Sequence, residues 1–122
     1  MVGEANAQVE HVSAKDAADE VASGQAVLLD VREPVEWEQH IAGSVQVPRG
    51  LLEFVADPAS PKHKAELDPT GRVIVYCRSG TRGALAALTL KTLGYAHVAN
   101  LDGGFNAWKD AGLPAEEHHS DI

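Results

Sequence analysis

The sequence predicts a single α/β domain in which a central, mostly parallel sheet of about five strands is flanked by helices on both faces. Three observations lead there. The chain has 122 residues, the size of one hydrophobic core. Its apolar runs are short and continuous rather than alternating, which suits strands covered on both faces. Helical stretches with capping signals separate these runs, and such alternation produces right-handed parallel crossovers.

The elements follow in order. Residues 8–12 make a short strand, and Ser13 is placed to cap a helix over Ala14–Ala22 that Gly24 closes. The run 26–29 is the next strand, and Pro34 sits where a first helical turn can begin. Residues 45–47, 73–76 and 98–101 have the same apolar character. An Ala/Leu-rich helix is predicted over 82–93, with Gly94 to stop it. Segment 57–71, holding Pro58, Pro61 and Pro69, reads as a surface connection. Gly103-Gly104 reads as a turn and Trp108 as a core residue. The expected domain spans 8–114, between a flexible N-terminus of residues 1–7 and a frayed tail of residues 115–122 that has little apolar content.

Composition excludes several classes of function. A net charge of -8 and a pI near 5.1 argue against nucleic acid, whose binding relies on basic surface. No apolar run approaches the roughly 20 residues that span a bilayer, so no membrane segment is expected. The N-terminus lacks a basic patch followed by an apolar stretch, and the one cysteine cannot form an internal disulfide. Both features lead to a cytoplasmic expectation. The six histidines show no ligand spacing, so no metal is expected. The negative charge also means that any anionic ligand must be attracted by local positive charge, because screening acts over roughly 8 Å.

The chemistry concentrates at Cys77. There the strand Val73-Ile74-Val75-Tyr76 runs into Cys77-Arg78-Ser79-Gly80-Thr81-Arg82, and the helix starts about five residues after the cysteine. Ligands of open α/β sheets bind beyond the carboxyl ends of the strands. A short loop containing Gly80 can turn successive N–H groups toward its centre, with the helix N-terminus behind it. That setting and the neighbouring Arg78 and Arg82 favour the thiolate. A lone cysteine is commonly a small buried hydrophobe. Two arginines and two hydroxyls in a tight loop instead identify Cys77 as a nucleophile, with Arg78, Ser79, Gly80, Thr81 and Arg82 as substrate-binding residues.

CRSGTR between an apolar strand and an Ala/Leu helix resembles the active-site loop of rhodanese domains. LLDVREPVEWEQHIAGSVQVP resembles the first rhodanese signature, with Asp30-Val31-Arg32, His40-Ile41 and Gly43, and NLDGGFNAW resembles the second, with Gly103, Gly104 and Trp108. The stretch 48–63 is similar to a segment of one group of single-domain bacterial members. The resemblance runs over roughly residues 9–114. It implies a sulfurtransferase fold and a loop of six residues from Cys77 to Arg82, where related phosphatases and arsenate reductases use seven. By the same resemblance, a loop this basic suits thiosulfate better than mercaptopyruvate.

The resemblance implies a ping-pong reaction without cofactor. Cys77 takes the sulfane sulfur of thiosulfate or a similar donor and passes it to cyanide or a thiol, with a protein acceptor left unidentified. Two other readings stay open: a sulfur-carrying or persulfide-sensing module with weak thiosulfate turnover, and a catalytically silent regulatory domain. Asp30 and Arg32 are expected to form a buried ion pair beside the site rather than to bind substrate, and Arg49 could add charge to the rim. Two features depart from the family pattern. Only Glu38 and Gln39 separate Trp37 from His40, which shortens that turn, and Gly83 follows the loop where a serine is frequent.

Overall fold

The computed structural model describes residues 8–64 and 66–117. Its strands are β1 (Glu10–Val12), β2 (Ala26–Asp30), β3 (Gln39–Ile41), β4 (Val45–Gln46), β5 (Arg72–Tyr76), β6 (His97–Leu101) and β7 (Ala115–Glu117). The helices are α1 (Ala14–Ala22), α2 (Leu52–Ala56), α3 (Thr81–Thr92) and α4 (Gly104–Asp110), with 3-10 turns at Pro34–Glu36 and Arg49–Leu51.

Five strands form one parallel sheet in the order β1-β6-β5-β2-β4. The central strand is β5, in register with β2 from Ala26↔Arg72 to Asp30↔Tyr76 and with β6 from Arg72↔His97 to Val75↔Asn100. Its residues alternate between two cores, as strand pleating requires. Val73, Val75 and Cys77 face α2 and α3 together with Leu29, Leu52 and Leu90. Ile74 and Tyr76 face α1 and α4 together with Leu28, Leu101, Phe105 and Trp108. Burying side chains of this size contributes about 1.5–3 kcal/mol each, so the apolar runs anchor the sheet on both faces.

The helices stop and start where local chemistry demands. Ser13 accepts the Asp16 N–H at 3.1 Å and caps α1. Pro34 opens its 3-10 turn at the first position, where a missing N–H costs nothing. The segment 57–71 packs through Leu67, which is fully buried, and through Tyr95, whose hydroxyl donates to the carbonyls of Ala56 and Leu67. That burial, with nearby Asp68 and Asp57, pushes the Tyr95 phenol up to about 12.

One expectation is corrected. A frayed tail was expected from Ala115, yet Ala115–Glu117 forms β7 and pairs antiparallel with β3. Strand pairing and hydrogen bonds of backbone and side chains, rather than apolar burial, hold it. The Ala42 N–H donates to the Pro114 carbonyl at 3.3 Å, the Trp108 indole to the same oxygen at 2.8 Å, and the Gly43 N–H to Glu116 at 3.1 Å. The N-terminal residues 1–7 and the tail from His118 lie outside the described residues.

Candidate active site

Cys77 follows the last residue of β5, at the carboxyl end of the middle strand. It lies at the sheet end, and the residue is 1% exposed. The loop turns back through Gly80, which adopts φ 103, the left-handed region that favours glycine. This conformation brings the Gly80 N–H to Cys77 Sγ at 3.0 Å. Helix α3 begins at Thr81, and its first bond runs from the Ala84 N–H to the Gly80 carbonyl.

Two neighbouring elements hold the loop's carbonyls outward. The Phe105 N–H donates to the Cys77 carbonyl at 2.8 Å and the Asn106 N–H to the Arg78 carbonyl at 3.0 Å. This approach of α4 requires glycine: a Cβ on Gly104 would lie 2.5 Å from the Cys77 oxygen, and its φ is 61. From β6, buried Asn100 donates to the Gly80 carbonyl at 3.2 Å, and its amide also lies 3.3 Å from His11 Nδ1. Among the described residues Asn100 Oδ1 has no hydrogen-bond partner. That oxygen occupies the space a Cβ on Gly83 would need, at 2.3 Å. The glycine found where a serine is frequent therefore makes room for Asn100.

The arginines divide into three situations. Arg32 is buried and paired to Asp30, with Nη2 to Oδ2 at 2.8 Å, Nε to both carboxylate oxygens, and Nη2 also on the Gln39 carbonyl at 2.7 Å. Burial is the largest single influence and works against the guanidinium charge, but the hydrogen bonds to Asp30 together with the charges of Asp30, Tyr76 and Glu36 outweigh it and raise its pKa. Tyr76 completes this group by donating to Asp30 Oδ2 at 2.9 Å, while Ser44 lies 2.9 Å from its hydroxyl and the Ile41 N–H donates to it. Burial, with the Asp30 charge beside it, pushes the Tyr76 phenol well above its ordinary range.

Arg82 is held by Glu36, with Nη1 on Oε1 at 2.7 Å and Nη2 on Oε2 at 2.8 Å. The Arg82 hydrogen bonds, aided by the Glu33 N–H, lower the Glu36 carboxyl to about 2. Glu36 in turn raises Arg82, with a smaller contribution from Cys77. Arg78 is exposed, and among the described residues no carboxylate pairs with it. Both Arg78 and Arg82 were expected to serve an anionic ligand, whereas the structure commits Arg82 to Glu36. Arg49, considered for the rim, bonds Glu53 at 2.9 Å and Thr89 at 3.1 Å.

Two cavities flank the loop. One of about 550 Å³ is lined by Arg32, Arg78 and Lys109 on the positive side and by Glu36, Glu38 and Glu117 on the negative. The other, about 530 Å³, is lined by Ser79, Gly80, Thr81, Asn100 and Asp102 among others. Arg78 thus faces the first cavity, while Ser79 and Thr81, both exposed, border the second. Among the described residues no group of three or more His, Cys, Asp or Glu is placed to hold a metal, and no helix is long and apolar enough to cross a membrane.

Glu36 and Asn100 were not singled out in the sequence. Glu36 carries no signal there, because its partner is 46 residues away. Asn100 does carry one, as a polar residue interrupting the apolar run of β6.

Residues 13–111 match the model of the rhodanese-like domain. The chain is 34% identical over 108 residues to a protein named sulfurtransferase from Allochromatium vinosum, covering 87% of this chain and 94% of that one. It is 32% identical over 99 residues to a protein of Mycobacterium tuberculosis named "Probable adenylyltransferase/sulfurtransferase MoeZ", covering 80% of this chain but 24% of that one, so it spans about a quarter of that relative. Among solved structures, a Rhodopseudomonas palustris protein of unknown function, described as a possible tyrosine phosphatase, superposes with a TM-score of 0.86 at 40% identity, over 94% of this chain and 90% of that one. With a parallel sheet, a cysteine loop at its carboxyl edge and a family match over most of its length, the chain belongs to the rhodanese-like domain family.

Proposed function

We propose that the chain is a sulfurtransferase that carries sulfane sulfur on Cys77. The observation that carries this reading is the Gly80 N–H directed at Cys77 Sγ at 3.0 Å, in a loop whose exposed Arg78 borders a cavity of about 550 Å³. A hydrogen bond from a fixed N–H stabilises negative charge on sulfur, and an unpaired guanidinium beside it attracts an anionic donor. The relatives named sulfurtransferases support the same reading.

With thiosulfate as donor, the Cys77 thiolate attacks the outer sulfur. A bond forms between Sγ and that sulfur, the S–S bond of thiosulfate breaks, and its electron pair leaves with sulfite. Cys77 then bears a persulfide. Cyanide or a thiolate attacks the outer sulfur, the Sγ–S bond breaks, and the pair returns to Sγ. Neither step requires a metal or an organic cofactor. A free thiol of this kind suits the reducing cytoplasm.

The loop from Cys77 to Arg82 has six residues, one fewer than related phosphatases use, and this favours sulfur over a phosphoryl group. A Bacillus subtilis relative, 37% identical over 82 residues, is named a putative sulfur carrier protein, and this favours a second reading, a carrier that receives sulfur from a partner and turns thiosulfate over slowly. One experiment addresses both. Intact mass after thiosulfate treatment should show a gain of one sulfur that Cys77→Ser abolishes, followed by thiocyanate release on adding cyanide. An adduct without turnover selects the carrier, and no adduct from either thiosulfate or methanethiosulfonate overturns both readings.

A further inference from the structure

The loop holds two arginines, but their surroundings differ. Glu36 engages Arg82 through both carboxylate oxygens, at 2.7 and 2.8 Å. The carboxylate is itself fixed, because Oε1 also accepts the Glu33 N–H at 3.0 Å at the start of the Pro34–Glu36 turn. Planar bidentate pairing of this kind uses the guanidinium face that would otherwise grip a sulfonate. Arg78 has no such partner among the described residues and borders the cavity beside the loop. The same cavity is lined by Glu36, Glu38 and Glu117, so an entering anion meets three carboxylates as well as Arg78, Lys109 and the already paired Arg32.

We propose that Glu36 is a specificity-determining residue of this site. By holding Arg82 in a bidentate pair it withdraws that charge from the donor and leaves Arg78 as the loop's available cation, which biases the site against dianions and toward sulfane donors of lower charge. The suited class is the monoanionic thiosulfonate or hydropersulfide rather than thiosulfate itself. The proposal rests on the reading that Cys77 accepts sulfur from an anionic donor.

Electrostatic energy scales with the charge of the ligand. Removing the Glu36 charge should therefore act on a dianion with twice the energy, and so with the square of the fold-change, that it exerts on a monoanion. Glu36→Gln keeps the side-chain shape and one acceptor oxygen while releasing Arg82 from its counter-charge. The KM for thiosulfate should fall about tenfold and that for methanethiosulfonate about threefold, with the change appearing in KM rather than kcat. Arg82→Ala leaves Glu36 uncompensated and should raise KM for thiosulfate. Adding Glu36→Gln to Arg82→Ala should return it close to the wild-type value, because a neutral pair has been removed as a unit. If the double variant stays as poor as Arg82→Ala, Arg82 grips the donor directly and the proposal fails. It fails equally if Glu36→Gln changes both donors by the same factor or raises KM.

A readout independent of sulfur transfer is alkylation of Cys77 by iodoacetate and by iodoacetamide. The two rates share the same sulfur, so their ratio isolates the charge felt by the entering reagent. That ratio should rise about threefold in Glu36→Gln. A raised ratio without a sulfur adduct from either thiosulfate or methanethiosulfonate in the wild type would sink the functional reading and leave the charge assignment standing. An adduct with an unchanged ratio would do the reverse. If neither reagent reaches Cys77, the open anion path that the assignment needs does not exist.

Discussion

The two ends of β5 handle charge in opposite ways. At its amino end Arg72 is shared by two carboxylates, with Nη1 and Nη2 on Glu10 at 2.9 and 2.8 Å and Nε on Glu20 at 2.9 Å. This cluster ties β1, α1 and β5 together and leaves an excess of negative charge. At the carboxyl end Arg32 pairs with Asp30 and Arg82 with Glu36, while Arg78 has no carboxylate partner among the described residues. In a chain of net charge -8, the ion-paired groups at one end of the strand serve cohesion, while the other end leaves one guanidinium, that of Arg78, free of a carboxylate partner among the described residues. An acidic protein can thus offer an anion a cation without being basic, because Arg78 is adjacent in sequence to Cys77 and screening leaves distant charges little influence.

The sharpest way to break this arrangement is at its most buried member. Asp30 is fully buried and accepts from Arg32 and from Tyr76. Asp30→Ala would strand the Arg32 charge in the interior, at a cost of about 3–5 kcal/mol. Arg72→Met, at the other end, removes pairs whose side chains are 18% to 55% exposed, and should cost only about 1 kcal/mol. Urea denaturation of the two variants should show this ordering, and equal losses would refute the distinction between the ends.

The next largest effect is at the glycines. Gly104→Ala places a Cβ 2.5 Å from the Cys77 oxygen and 2.8 Å from the Arg78 carbonyl carbon, where only backbone could yield. It should destabilise by about 2–4 kcal/mol and abolish sulfur loading of Cys77. Gly112→Ala shares the positive φ, 72, but meets nothing within 4 Å. It should cost about 1 kcal/mol and leave loading intact. Thermal melts with the mass assay separate the two.

Much of this could be read before any coordinates, and the rest could not for identifiable reasons. The strands β2, β5 and β6 were legible because both their faces are buried, so their sequences are continuous apolar runs. Cys77 was legible because the strand, the glycine-containing loop and the helix are contiguous. β7 was not, since its three residues are all exposed and held by hydrogen bonds, backbone and side-chain, that leave no hydrophobic pattern. Short α2 and α4 were likewise missed, being of 5 and 7 residues. Local sequence places two arginines in the loop, but whether each is free depends on Glu36, brought to α3 by the fold from the turn after β2.

The pairing of Asn100 with Gly83 gives a smaller, internal test. Gly83→Ala alone should cost about 2–3 kcal/mol, because its Cβ would lie 2.3 Å from Asn100 Oδ1. In an Asn100→Ala background the same change should cost about 1 kcal/mol or less, since the clashing oxygen is gone. Additive losses in a double-mutant cycle would show that the two positions do not share that space.

The smallest expected effect is the acid response of the Glu36–Arg82 pair. The folded-state carboxyl is depressed from 4.5 to about 2, chiefly by its hydrogen bonds to Arg82. A depressed carboxyl stabilises the fold above its unfolded value and loses that contribution as pH falls through the folded one. The window is therefore about 4.5 down to about 2. The Arg82 side chain is 38% exposed, so solvent screening limits the loss to about 1 kcal/mol or less. Tm measured across that window should decline less steeply for Glu36→Gln than for the wild type. At the amino end, Glu10 is also lowered by Arg72, but its side chain is 55% exposed. Glu10→Gln should flatten the decline less than Glu36→Gln does, and the reverse order would mean that the amino-end cluster, not the loop, is the more strongly coupled ion pair.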